Sequence, residues 1–101
     1  MVVLQITFDY FGAKGDEFVR SCLDLAKSIN KETGFISKIW TFNDDYSRAG
    51  GVYLFDTKEN AQNYALMHSN RLSEYKIASN ISYEILNVCE ELSLINNFKL
   101  N

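Results

Sequence analysis

The stretch Gly34–Phe55, GFISKIWTFNDDYSRAGGVYLF, decides the fold. Its first part, Phe35–Phe42, is rich in aromatic and β-branched residues, and its end, Gly51–Phe55, is similar, so both read as strands. Between them Asn43, Asp44, Asp45, Tyr46, Ser47 and Arg48 form a turn cluster too polar for a core. The run is too long for one strand, and its apolar residues follow no helical period. An antiparallel hairpin with one wet face should alternate apolar and polar residues. This one does not. Ile36, Trp40 and Phe42 are expected on one face, with Phe35 and Ile39 on the other; Val52 and Leu54 oppose Tyr53 and Phe55. Both faces therefore need cover, one from the chain's own helices and the other from elsewhere.

Upstream, Leu4, Ile6, Phe8 and Tyr10 alternate with Gln5, Thr7 and Asp9, the clearest strand pattern in the chain. Glycines 12 and 15 break it, and Asp16 is placed to cap a helix with the apolar stripe Phe18, Cys22, Leu25, Ala26 and Ile29. Gly34 is its expected stop. Downstream, Thr57 is expected to cap a second helix with the stripe Ala61, Tyr64, Ala65, His68 and Leu72, which contains the single histidine. A last strand is expected at about Ile81–Val88, where Ile81, Tyr83 and Ile85 alternate with Ser82 and Glu84.

Strand, helix, strand, strand, helix, strand is the split βαβ, ferredoxin-like α+β order, with a four-stranded antiparallel sheet and both helices on one face. Its other face would expose an apolar patch. The simplest cover is a twofold homodimer packed sheet against sheet, a dimeric α+β barrel. The chain, 1–101, reads as one domain, with 89–101 as a C-terminal dimerisation arm that places Leu94, Ile95 and Phe98 against the partner.

Composition narrows the partners. At 101 residues, 47% apolar and 23% charged, the chain reads as a soluble globule. Its net charge of −3 and scattered basic residues argue against nucleic acid. No apolar run is long enough to span a bilayer, and Met1–Gln5 lacks the basic flank of a secretion signal, so no membrane partner and a cytoplasmic location are expected. Cys22 and Cys89 are isolated and read as reduced thiols; with one histidine they make no metal site.

Several chemistries of this fold fail on residues. Acylphosphatase-like catalysis needs an arginine after the first strand, where Phe11–Gly15 offers only Lys14. AGGVYLF lacks the basic aromatic signature of RNA-recognition domains. Paired cysteines, a phosphate loop and a nucleophile elbow do not occur. What remains is one imidazole, one indole and several phenols converging between sheet and helices: His68, Trp40, Tyr53 and Tyr64. Singly, each is an ordinary core residue; the grouping is the signal.

Four blocks carry a resemblance: SINKETGFISKIWT (Ser28–Thr41), AGGVYLF (Ala49–Phe55), His68-Ser69-Asn70-Arg71-Leu72 and Leu92-Ser93-Leu94-Ile95-Asn96. Together they resemble the small YdhR-type monooxygenases over nearly the whole chain. The resemblance implies a dimeric α+β barrel related to the antibiotic-biosynthesis monooxygenases, which oxidise aromatic polyketide-like substrates with O₂ and without metal or flavin. No cofactor is therefore expected. Haem-degrading relatives of the barrel use a helix histidine, a strand tryptophan and a first-strand asparagine. His68 matches the first in kind, but Trp40 lies on a different strand and Gln5 stands where no Asn is found. On this reading a small aromatic substrate binds between sheet and helices, and His68 or a tyrosinate removes its proton. Trp40 and Tyr53 hold the oxygenated intermediate, and Tyr64, Arg71, Phe8 and Phe55 contact the substrate. The alternative is a non-catalytic dimer that binds an aromatic ligand or haem.

Overall fold

The computed structural model describes residues 1–99. Its elements are β1 (Val2–Tyr10), α1 (Asp16–Ile29), β2 (Phe35–Phe42), β3 (Arg48–Phe55), α2 (Lys58–Glu74), β4 (Ala78–Asn87) and α3 (Glu90–Ile95). The four strands form one antiparallel sheet in the order β2-β3-β1-β4. This is the ferredoxin-like order expected from the hydrophobic patterns.

Strand geometry explains the layering. Side chains two apart share a face, so Val2, Leu4, Ile6, Phe8 and Tyr10 all point to one side of β1, and all five are buried. They form the core with Phe18 and Ile29 of α1 and with Ala61, Tyr64, Ala65 and Leu72 of α2. Both helices therefore cover the same sheet face. The α2 stripe read from the sequence, Ala61, Tyr64, Ala65, His68 and Leu72, is the buried set of that helix. Its start is fixed by Thr57, whose Oγ1 accepts from the Asn60 amide at 3.1 Å.

Four local readings change. Asp16 is the first helical residue, and the cap position belongs to Gly15 at φ +58°, a left-handed backbone that glycine adopts without strain. Helix α1 ends at Ile29, so Gly34, at φ +79°, opens β2 instead of closing the helix. Strands β3 and β4 begin three residues earlier than their aromatic runs suggest, because ladder pairing extends through Arg48 and Ala78 regardless of side-chain type. The most consequential change lies in β2. A register shift between Phe35 and Ser37 sets Ile36 out of phase, so Phe35 joins Trp40 and Phe42 on the helix face and packs edge-on against Phe55 at 5.9 Å.

Gly50 and Gly51 sit in an unbroken β1–β3 register and mark close approach, not a bulge. A Cβ at Gly50 would run into the Ile6 carbonyl. A Cβ at Gly51 would stand 2.7 Å from Lys38 Cε, so this glycine makes the room through which the lysine stem passes.

The opposite sheet face carries Val3, Val52, Leu54, Leu86 and Ile39 at one end, and Thr7, Thr41 and Ser82 at the other. Beside it the chain turns at Cys89 into α3, and Phe98 lines a cavity of about 440 Å³ with Val3, Gln5 and Leu86 of its own sheet. Leu92, Leu94 and Ile95 are exposed in the single chain. Of the expected arm, residues 100 and 101 lie outside the described residues. Among the described residues no helix is long and apolar enough to cross a membrane.

Candidate active site

Helix α2 delivers His68 to the sheet, where it is 3% exposed. Its ring stacks on Tyr64 with 5.2 Å between ring centres and meets Tyr53 edge-on at 6.5 Å. One turn on, Arg71 Nη2 lies 2.8 Å from His68 Nδ1. A guanidinium only donates, so Nδ1 accepts, and in the neutral ring Nε2 carries the proton. Burial, then the charges of Arg71 and Lys38, push the imidazole pKa down to about 3. His68 is thus neutral across the physiological range and presents a donor at Nε2. Acting as a base would require it to give up the Arg71 bond.

Strand β2 supplies the second half of the site. Lys38 and Trp40 are two apart and share the helix face. Lys38 Nζ stands 3.3 Å from the centre of the Trp40 ring and 4.5 Å from that of Tyr53. Burial pushes the ammonium down to about 7, with Cys22 raising and Arg71 lowering it by smaller amounts. The two aromatic faces favour the charged form. No carboxylate pairs with Lys38 or Arg71 among the described residues, whose ion pairs are Arg20–Glu17 and Arg48–Asp9.

These side chains enclose a cavity of about 50 Å³, walled by His68, Lys38, Trp40, Tyr53, Phe8, Tyr10, Phe18 and Cys22 among others. A groove of about 480 Å³ between α1 and α2 adjoins it, lined by Arg71, Tyr75, Ser21 and Asp24. Cavity and groove share Tyr10, Cys22, Leu25, Leu72 and Ile77 as their common wall. Of the residues singled out from the sequence, His68, Trp40, Tyr53 and Phe8 meet on the cavity, and Arg71 lies on the groove. Tyr64 and Phe55 lie a layer behind, with their rings 5.5 Å apart. Tyr64 Oη and Arg71 Nε are buried with no hydrogen-bond partner among the described residues. Burial raises the Tyr64 phenol to about 12 and pushes Tyr53 well above the usual phenol range, so neither is a tyrosinate near neutrality. Among the described residues no three His, Cys, Asp or Glu side chains gather to hold a metal ion.

Lys38 is the residue that sequence reading missed. Its signal was present: a lysine inside the apolar run FISKIWTF, in phase with Trp40. Strand phase alone would have placed a cation beside the indole.

The family described as "Putative mono-oxygenase ydhR" matches residues 3–99. The chain belongs to this family. Comparison with curated proteins finds no match. Solved structures share the YdhR-family chain's fold. A mutant of SnoaB, a cofactor-independent oxygenase from Streptomyces nogalater, is 14% identical with TM-score 0.62, covering 87% of this chain and 92% of its own. The haem-degrader MhuD from Mycobacterium tuberculosis is 16% identical with TM-score 0.61, covering 88% and 96%. A dimeric ferredoxin-like protein from an uncultured marine organism is 17% identical with TM-score 0.56, covering 88% and 95%. At these identities the likeness shows the fold; membership of the YdhR monooxygenase family rests on the family match.

Proposed function

We propose that the protein is a cofactor-independent monooxygenase that oxidises a small phenolic or polyketide-like aromatic, working as a cytoplasmic homodimer. The observation that carries this reading is the meeting of His68, Trp40, Tyr53 and Phe8 on one aromatic-walled cavity, next to a groove of about 480 Å³. That groove falls within the roughly 300–1,000 Å³ of ordinary small-molecule sites. The cavity of about 50 Å³ is too small for an aromatic ring. Rotation of the shared Leu25 and Ile77 side chains would merge the two, letting the reacting edge of a ring in the groove reach His68.

The overall reaction balances without a cofactor. A ring methylene loses two hydrogens and becomes a carbonyl; one atom of O₂ enters the product, and the other leaves as water. Electrons come from the substrate anion. His68 Nε2–H and the Tyr53 hydroxyl would donate to the oxyanion and peroxide oxygens, and Trp40 would form the wall. Haem does not fit this arrangement. His68 Nδ1 is engaged by Arg71, Nε2 is protonated, and Gln5 sits exposed on the opposite sheet face.

The apolar end of that sheet face, together with exposed Leu92, Leu94 and Ile95, supports a sheet-to-sheet homodimer with 89–101 as its arm. Two free cysteines support a reducing compartment. The locked, neutral His68 favours a second reading, a dimeric binder of aromatic ligands without turnover. Oxygen uptake with anthrone and quinol substrates separates the two. Uptake with ¹⁸O from ¹⁸O₂ in the product supports the oxygenase; tight binding without uptake defeats it in favour of the binder.

A further inference from the structure

We propose that Lys38 takes the proton of the phenolic substrate and, once charged, holds the resulting phenolate. This rests on the reading of the cavity as a site for phenolic aromatics. The geometry sets Lys38 apart from every other ionisable group around it. From α2, His68 has its acceptor nitrogen occupied by Arg71, and Arg71 itself cannot give up a proton. From β3, the Tyr53 phenol is held protonated by burial. From β1, the Tyr10 phenol is raised by burial and donates to the Ala13 carbonyl at 2.8 Å. Ile77, ahead of β4, brings no ionisable group. From α1 comes the Cys22 thiol on the cavity wall, 3.8 Å from Ser21 Oγ, while the Asp24 carboxylate and the Tyr75 phenol line only the groove, away from Lys38.

Lys38 itself reaches the cavity between the Trp40 and Tyr53 rings and meets no carboxylate among the described residues. A half-buried amine without a counterion stays neutral more readily than a fully exposed lysine, and here its titration falls near pH 7. The step conserves charge. The substrate O–H breaks, an N–H forms on Nζ, and a neutral pair becomes an ammonium–phenolate pair at the same half-buried place. The rings that flank Nζ stabilise the ammonium as it forms. Arg71, whose Nε is buried and unpartnered, adds a second positive charge on the groove side of the anion. The site therefore selects aromatics with an ionisable hydroxyl over their methyl ethers.

The test uses the full chain and alizarin, a hydroxyanthraquinone whose visible absorption shifts when its phenol ionises. Bound to the parent protein, the dye should ionise at least one pH unit below its free value, a tenfold shift in the equilibrium. With Lys38→Met it should bind in the neutral form. With Lys38→Arg, a fixed charge, the bound phenolate should return while turnover stays lost. Cys22→Ala, which alters the wall, should still ionise whatever dye it binds. Should Lys38→Met fold poorly, ¹³C-methylated lysine spectra of the parent give an independent readout, with the Lys38 resonance titrating near 7. The proposal is overturned by a dye that does not bind or does not ionise on the parent, by ionisation that survives Lys38→Met, by its loss in Cys22→Ala, or by an ordinary lysine titration. Lys38-dependent ionisation without oxygen uptake would sink the oxygenase reading alone. Oxygen uptake with Lys38-independent ionisation would sink the lysine alone.

Discussion

Replacing Tyr64 by phenylalanine removes one oxygen from the core and little else. The ring lies 5.2 Å from His68, 5.2 Å from Tyr53 and 5.5 Å from Phe55, and phenylalanine keeps all three contacts. The hydroxyl is buried and makes no hydrogen bond of good geometry among the described residues, although Tyr53 and Arg71 lie close enough to offset part of the rise that burial gives its phenol. A buried polar group left unsatisfied costs about 1–3 kcal/mol. Removing it should therefore stabilise the chain by about 1 kcal/mol or more. For a domain of this size, each 1 kcal/mol moves the Tm by roughly 4–8 °C. Urea unfolding followed by circular dichroism should show a higher midpoint with an unchanged slope, the signature of a native-state effect. Tyr64 lines neither the cavity nor the groove, so a phenolic ligand should raise the Tm of the parent and of Tyr64→Phe alike. A loss of about 1 kcal/mol in the ligand-free variant would refute the reasoning, because it would mean the hydroxyl already has a partner in the folded chain.

Other outcomes follow from the same geometry. His68→Gln keeps a donor near Nε2 and should retain much of the activity, whereas His68→Leu should lose about 10²-fold; an equal loss in both, measured as kcat, would return the base role to His68. The depressed His68 pKa means the unfolded chain binds its proton first as pH falls, so stability should decline from about 6.5 toward about 3, by up to about 1.4 kcal/mol per pH unit; a His68→Gln chain with the same urea-midpoint profile against pH would contradict this. Gly50→Ala, whose Cβ meets main chain at Ile6, should destabilise by about 3 kcal/mol or more, while Gly51→Ala meets side chains only, the Lys38 stem and the edge of the Tyr53 ring, and should cost less but disturb the Lys38 titration; equal thermal stabilities of the two variants would count against the close-approach reading. Sedimentation should give twice the 11.6 kDa chain mass, and deleting Glu91–Asn101 should raise the dimer Kd; a monomeric parent, or an unchanged Kd after truncation, would defeat the barrel and its arm respectively.

Local patterns in the chain account for the order of elements from β1 to β4 and for most of the core, though not for α3. Period-two burial in Leu4, Ile6, Phe8 and Tyr10, and helical spacing in Ala61, Tyr64, Ala65, His68 and Leu72, are local patterns. A chain shows them without knowing its neighbours, because each follows from the geometry of a single element. Strand phase for Phe8, Trp40 and Tyr53, and helical spacing for His68, also brought these four to one side of the sheet. What those residues do there is set by packing between elements. The β2 register shift that moves Phe35 to the helix face depends on pairing with β3. Seating Lys38 between two aromatic rings depends on the space left by Gly51 on the neighbouring strand. The Arg71–His68 bond turns the imidazole from the base its type suggests into a donor. Protonation states answer to burial and to charges a few ångströms away in space, and those distances are set by packing between elements that no single element's pattern records.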